Sequence, residues 1–174
     1  MSVDSTYVKN VRGQNCLGRN PSDRGRNATK FSVITDKNGL PISFYFAPGN
    51  EHDLKAVPKL INNLIIKPNT SKSLKYPVYF LGDRGYDSKA LREYLKQNKY
   101  IPVIPYRSYR GKKKHLAKRY KPIIKLRYKV EAYFGWIDQY RRLILRYDSL
   151  ISSYKSFTFL ASSLIIIRKN GLND

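Results

Sequence analysis

The stretch Tyr76-Pro-Val-Tyr-Phe-Leu-Gly-Asp-Arg-Gly-Tyr-Asp87 sets the narrowest limits on how this chain can fold. Val78 to Leu81 is a short apolar run, the length and composition of a buried strand. It ends at Gly82-Asp83-Arg84-Gly85, where two glycines allow a sharp turn and close approach of the backbone to a ligand. A helical pattern follows from Ser88 to about Asn98, with Leu91 and Leu95 on one face. A carboxylate on a glycine-flanked turn, at the carboxyl end of a buried strand, is where open α/β sheets keep their chemistry. Asp83 taken alone would read more simply as a turn cap.

Charge narrows the partner. Lys and Arg number 34 against 12 Asp and Glu, a net charge of +22 with pI near 10.1. Such a surface calls for a polyanion, and nucleic acid leads. A basic disordered tail is argued against by 41% hydrophobic residues and 15 tyrosines, which suit a packed domain. The single cysteine, Cys16, excludes an internal disulfide and a cysteine metal cluster. The longest apolar run, Leu164 to Ile167, is too short to cross a bilayer, and no signal peptide is read.

The chain opens on Met1-Ser-Val-Asp-Ser-Thr-Tyr-Val-Lys9, a strand pattern carrying Asp4. With only three residues ahead of Asp4, the sequence suggests a chain shortened at its front. Gly13 to Lys30 reads as a long polar loop rich in glycine and arginine. Phe31 to Thr35 and Pro41 to Phe46 form a hairpin whose Asn38-Gly39 supplies positive φ angles. Asp53 is placed to cap a helix from Leu54 to Ile65, with His52 a neutral loop residue. Asn69 to Lys75 reads as a surface connection, and Tyr100 to Pro105 as another strand. The order of strand, hairpin, helix, strand, helix, strand predicts one mixed α/β domain over residues 1–174, an antiparallel hairpin joined to parallel crossovers and flanked by helices.

Tyr106 to Lys121 interleaves Arg107, Arg110, Lys112, Lys113, Lys114, Lys118 and Arg119 with tyrosines, cations for phosphates and rings for bases. Pro122 opens a long helix to about Tyr140, with Ile123, Leu126, Val130, Phe134 and Ile137 as its expected buried stripe. Arg127 and Glu131 stand one helical turn apart, and Gly135 clears space one turn further on. Arg141, Arg142 and Arg146 extend the basic surface, and Asp138 is a rival carboxylate. A last helix, Tyr154 to Arg168, is expected to bury Phe157, Leu160, Ala161, Leu164 and Ile165.

Asp4, Asp83 and Glu131 lie on three separate elements. Two metal ions about 3.5–4 Å apart need such converging carboxylates to cleave a phosphodiester, although spacing alone does not prove convergence. A resemblance adds to this. Val3-Asp-Ser-Thr-Tyr-Val-Lys9, Asp23-Arg-Gly-Arg-Asn-Ala-Thr-Lys30, Ala47-Pro-Gly-Asn-Glu-His-Asp53, Gly82-Asp-Arg-Gly-Tyr-Asp87, Pro102-Val-Ile-Pro105, Arg127-Tyr-Lys-Val-Glu131 and Tyr140-Arg-Arg-Leu143 resemble, in order along the chain, the catalytic domain of DDE transposases of bacterial insertion sequences, of the IS-four and IS-five kind.

The resemblance implies a ribonuclease H-like fold and a catalytic, metal-binding triad of Asp4, Asp83 and Glu131 holding two Mg2+ (or Mn2+) ions. It implies hydrolytic nicking at transposon ends, then strand transfer to target DNA. Arg107, Arg110, Lys112, Lys113, Lys114, Lys118, Arg119, Arg127, Arg141 and Arg142 would contact that DNA. Expected partners are transposon-end and target DNA, further copies of the chain on that DNA, and an upstream-frame polypeptide for the N-terminal DNA-binding region that relatives carry. An intracellular place with the DNA follows, the nucleoid if the host is bacterial. The chain departs from the pattern at Ile124, where relatives have tyrosine, and at Asp138, where they often have a lysine. The alternatives are a degenerate transposon-derived protein that binds DNA without cutting it, and a metal-dependent nuclease without end specificity.

Overall fold

A computed structural model of the chain describes residues 1–64, 77–108 and 115–171. The expected surface connection 69–75, and Arg110, Lys112, Lys113 and Lys114 of the basic run, lie outside the described residues.

The frame is a seven-stranded mixed sheet. β1 (Ser2–Asn10) pairs antiparallel with β3 (Asn27–Thr35), which pairs antiparallel with β4 (Pro41–Pro48) and, at its start, with the short β2 (Gly18–Arg19). On its other side β1 runs parallel to β5 (Val78–Leu81), and β5 parallel to β6 (Tyr100–Val103). A two-residue β7 (Leu145–Arg146) pairs with the far end of β1. The parallel half arises because helices α1 (Asp53–Asn62) and α2 (Lys89–Gln97) intervene between its strands, and a parallel connection needs such a crossover. This is the ribonuclease H-like arrangement that the resemblance implies.

Side-chain alternation along the strands divides the core in two. Val3, Ile34, Phe80 and Tyr100 pack under α1 and α2 with Val57, Leu60, Leu91 and Leu95. Val8, Phe31, Val33 and Phe46 pack under α4 (Tyr128–Ile137) and α6 (Ile151–Lys169) with Val130, Tyr133, Tyr154 and Ile165. The sheet is therefore covered on both faces, and strand ends and loops are left for chemistry.

Several local expectations are corrected. The polar loop from Gly13 is interrupted by β2, and β3 begins at Asn27 because Ala28 pairs with both Lys9 and Gly18. In the hairpin turn only Gly39 takes positive φ, at 89°, while Asp36 Oδ1 accepts the Asn38 and Leu40 amides. The cap of α1 is His52, whose Nδ1 accepts the Leu54 amide; Asp53 instead forms an ion pair at 2.9 Å with Lys30. The helix expected from Pro122 to Tyr140 is broken into α3 (Lys121–Ile124), a 3₁₀ turn (Lys125–Arg127) and α4. Its buried stripe is Val130, Tyr133 and Ile137, and Leu126, on the 3₁₀ turn ahead of α4, is exposed. α6 buries Tyr154, Thr158, Ala161, Ser162 and Ile165, leaving Phe157, Leu160 and Leu164 exposed beside α5 (Arg141–Ile144). A Cβ on Gly135 would meet nothing within 4 Å, so no neighbour in the described chain needs the space.

Candidate active site

The pairing of β1 with β5 brings the first two carboxylates together. Ser2 stands opposite Leu81 in parallel register, so Asp4 and Asp83 each lie two residues beyond that pair. Asp83 stands on the turn that follows β5, near enough for its charge to push the Asp4 carboxyl pKa up.

Asp83 sits on a turn built for it. A Cβ at Gly82 would lie 3.2 Å from the Tyr86 side chain, so glycine there lets the Tyr86 ring cover the strand end. Asp83 Oδ1 accepts the Gly85 amide at 2.7 Å and opens the 3₁₀ turn Arg84–Tyr86. The Tyr86 hydroxyl lies 3.1 Å from Ser5 Oγ, which is 2.8 Å from Ser32 Oγ. That chain ties the turn to β1 and β3. Burial, foremost, and the nearby carboxylates Asp53, Asp4 and Asp83 push the Tyr86 hydroxyl pKa up, so it stays protonated.

A second clamp holds the turn from outside. Arg107 donates from Nε to Arg84 O at 2.7 Å and from Nη2 to Gly85 O at 2.9 Å. Its own amide donates to Asp87 Oδ2, and Asp87 Oδ1 receives Nε and Nη2 of Arg92. Arg107, expected on DNA, is thus engaged in fixing the loop that carries Asp83.

Glu131 enters from α4. Its Oε1 accepts Arg127 Nη2 at 2.6 Å, and Arg127 Nη1 stands 3.5 Å from Asp4 Oδ2. One guanidinium therefore joins the β1 acid to the α4 acid. Asp4 is the strained member: burial raises its carboxyl to about 6, the Ser5 amide and Arg127 pull it down, and Asp83 and Glu131 push it up. Asp138, the rival carboxylate, makes no ion pair with Arg127 among the described residues. It follows α4, and its charge acts on the buried Tyr154 hydroxyl, whose pKa burial has already pushed up.

The donor set is three carboxylates, the hard oxygen ligands that Mg2+ and Mn2+ prefer. Asp83 Oδ2 accepts no protein hydrogen bond among the described residues, and Arg127 supplies a cation where these acids repel. Among the described residues no three His, Cys, Asp or Glu side chains are gathered tightly enough to hold one ion as they stand. The donor set suits divalent metal in its chemistry, and Arg127 stands between two of its members.

The basic residues divide by position. Lys118 lies beside Arg84, His115, Lys121, Tyr106 and Ile124 on a cleft of about 480 Å³ that adjoins the Asp83 turn. Arg119 lies over the Tyr120 ring at 4.8 Å. Lys121 belongs to the basic run read from sequence; Arg84 and His115 were not singled out as contacts, although the glycine turn next to Arg84 signalled it. Arg142 is bonded to Asp148 at 2.6 Å and stacks on Phe157 at 3.7 Å. Arg141 and Arg142 open α5, just ahead of β7, which pairs with Lys9 and Asn10, roughly 17 Å along β1 from Asp4. Arg146 is no surface cation: it is buried, donating to Asn15 O and Oδ1, Thr29 Oγ1, Asp148 O and Ser149 O.

Comparison with known proteins gives the family. The family model described as a transposase DDE domain matches residues 1–166. A Burkholderia cepacia protein, "Putative transposase for insertion sequence element IS402", is 29% identical over 154 residues, 88% of this chain and 69% of that protein. A Brucella ovis protein, "Putative transposase for insertion sequence element IS6501", is 26% identical over 153 residues, 80% of this chain and 98% of that protein. With a ribonuclease H-like sheet and acids at its strand ends, this chain belongs to the DDE transposase family, enzymes of insertion sequences that recombine DNA.

Proposed function

We propose that residues 1–174 form one catalytic domain that nicks DNA at the ends of an insertion sequence and joins the freed 3′ hydroxyl to target DNA, with Asp4, Asp83 and Glu131 as the metal-binding triad. The observation that carries the reading is that Asp4 on β1 and Asp83 on the turn after β5 follow the paired residues Ser2 and Leu81, close enough for the Asp83 charge to raise the Asp4 carboxyl, with Glu131 linked to Asp4 through Arg127. Two Mg2+ or Mn2+ ions, when bound, would acidify a water and neutralise charge on the phosphate under attack. The chain's part is to hold the carboxylates. Asp83 is fixed by its bond to Gly85 and by the Arg107 clamp, and Asp4 by its strand and the Ser5 amide.

DNA is the partner that a net charge of +22 supports. The cleft lined by Arg84, His115, Lys118 and Lys121 is the basic surface next to Asp83, and we assign it to the scissile strand. Further copies of the chain on the two ends, and a separate DNA-binding polypeptide, complete the proposed assembly. That assembly would act wherever the host keeps its DNA. No helix among the described residues is long and apolar enough to cross a membrane.

A DNA-binding protein without catalysis is the competing reading, and Asp138 in place of the family's lysine favours it. Metal binding separates the two. Mg2+ or Mn2+ should raise the unfolding midpoint of the wild-type chain, by an amount set by its concentration relative to Kd. Asp83→Asn should remove most of the gain. Equal gains in both would remove Asp83 from the triad, and no gain in either would favour DNA binding without catalysis.

A further inference from the structure

The Arg127 guanidinium uses two different nitrogens on two carboxylates from elements far apart in sequence. Nη2 donates to Glu131 Oε1 at 2.6 Å and Nη1 faces Asp4 Oδ2 at 3.5 Å. An i,i+4 pair on a helix needs no third member. Here the arginine lies in the 3₁₀ turn Lys125–Arg127, just ahead of α4, and its side chain is largely covered, 29% exposed. It spans the two acids as a bridging cation would. Three acids with one guanidinium carry net negative charge, whereas the same acids with two divalent ions carry net positive charge and would repel a guanidinium held among them.

We propose that Arg127 is a resident counter-cation of the carboxylate cluster, which divalent metal must displace before the site can load. The inference rests on the triad reading above. In this role Arg127 has opposite effects on the two states: it stabilises the metal-free protein and opposes metal binding. The concentration at which the site loads is then a property of the protein as well as of its ligands. A residue that merely held Asp4 and Glu131 in place would favour both states together.

The test is Mn2+ binding to the full chain without DNA, followed by the electron paramagnetic resonance of free Mn2+. Unfolding midpoints are taken in chelator and in saturating Mn2+. Arg127→Gln should lower the midpoint in chelator and tighten Mn2+ binding by about fivefold or more, within the usual range of coupling between sites. Lys125→Gln removes the same charge from an exposed neighbouring position and should change Kd by less than about twofold, as a charge largely screened by solvent. Arg127→Lys, which keeps the charge without the two-pronged reach, should fall between and covers the case in which the glutamine variant does not fold. Weaker or unchanged Mn2+ binding in Arg127→Gln and Arg127→Lys, or a change no larger than in Lys125→Gln, would overturn the proposal. Asp83→Asn in the same assay judges the triad separately: if it binds Mn2+ as the wild type does, the triad reading fails whatever Arg127 does.

Discussion

Replacing Asp4 by asparagine should stabilise the metal-free protein, and the gain should depend on pH in one direction. Asp4 ionises in the fold at about 6 against an ordinary 3.8, because burial, Asp83 and Glu131 outweigh the Ser5 amide and Arg127. A carboxylate whose folded pKa is raised keeps its proton in the native state after the unfolded chain has lost it. Stability therefore falls as pH rises from about 4 to about 6, and stays at its lower value above that. The gap between 3.8 and about 6, at about 1.36 kcal/mol per pH unit, gives about 3 kcal/mol. Asp4 retains 26% side-chain exposure, so about 2 kcal/mol is the expected measured figure after screening. Urea unfolding of wild type and Asp4→Asn in chelator at half-unit steps from pH 4 to 8 reads the difference directly. Groups that titrate alike in both proteins cancel. The advantage of asparagine should open between pH 4 and 6 and level off above. A difference that is flat across the range, or that grows toward acid, would refute the view that burial, with Asp83 and Glu131 beside it, makes the ionised Asp4 costly in the fold.

Three further outcomes are expected. Gly82→Ala places a methyl 3.2 Å from the Tyr86 side chain and should cost about 1–3 kcal/mol in urea unfolding; an unchanged midpoint would mean that Tyr86 does not cover the strand end. Arg146→Met strips donors from Asn15, Thr29, Asp148 and Ser149 in a buried site and should cost about 3 kcal/mol or more, whereas a loss below about 1 kcal/mol would show those acceptors find other partners. Changing Lys112, Lys113 and Lys114 together to glutamine should reduce the slope of log K for DNA against log salt by about 2–3, and an unchanged slope would mean that the run touches no phosphate.

What could be read from sequence is what depends on near neighbours. Val78 to Leu81 is a short apolar run closed by glycine, and it is a strand ending in the Asp83 turn. The helix expected from Ser88 is α2, and Leu91 and Leu95 are buried on it. Asn38-Gly39 does mark the hairpin, although one positive φ suffices. What escaped depends on contacts across the fold. The apolar spacing of Ile123, Leu126 and Val130 fits one continuous helix, yet the backbone tightens at Lys125–Arg127 and the buried register starts only at Val130. Phe157, Leu160 and Leu164 read as core because helical periodicity reports a stripe without saying what covers it. Arg107, Arg127 and Arg146 read as surface cations, but one clamps a turn, one joins two acids, and one is buried among carbonyls. The pairing of Arg127 with Asp4 joins residues 123 positions apart, which no local spacing can announce.

The central claim, that Glu131 and not Asp138 completes a catalytic triad with Asp4 and Asp83, is tested most directly by cleavage. The substrate is labelled DNA carrying the element's own ends, in Mg2+, with Asp83→Asn, Glu131→Gln and Asp138→Asn compared with wild type. Asp83→Asn and Glu131→Gln should abolish strand cleavage while DNA binding persists, since binding rests on the lysines and arginines, and Asp138→Asn should still cut. Cleavage retained by Glu131→Gln and lost in Asp138→Asn would contradict the account at its centre.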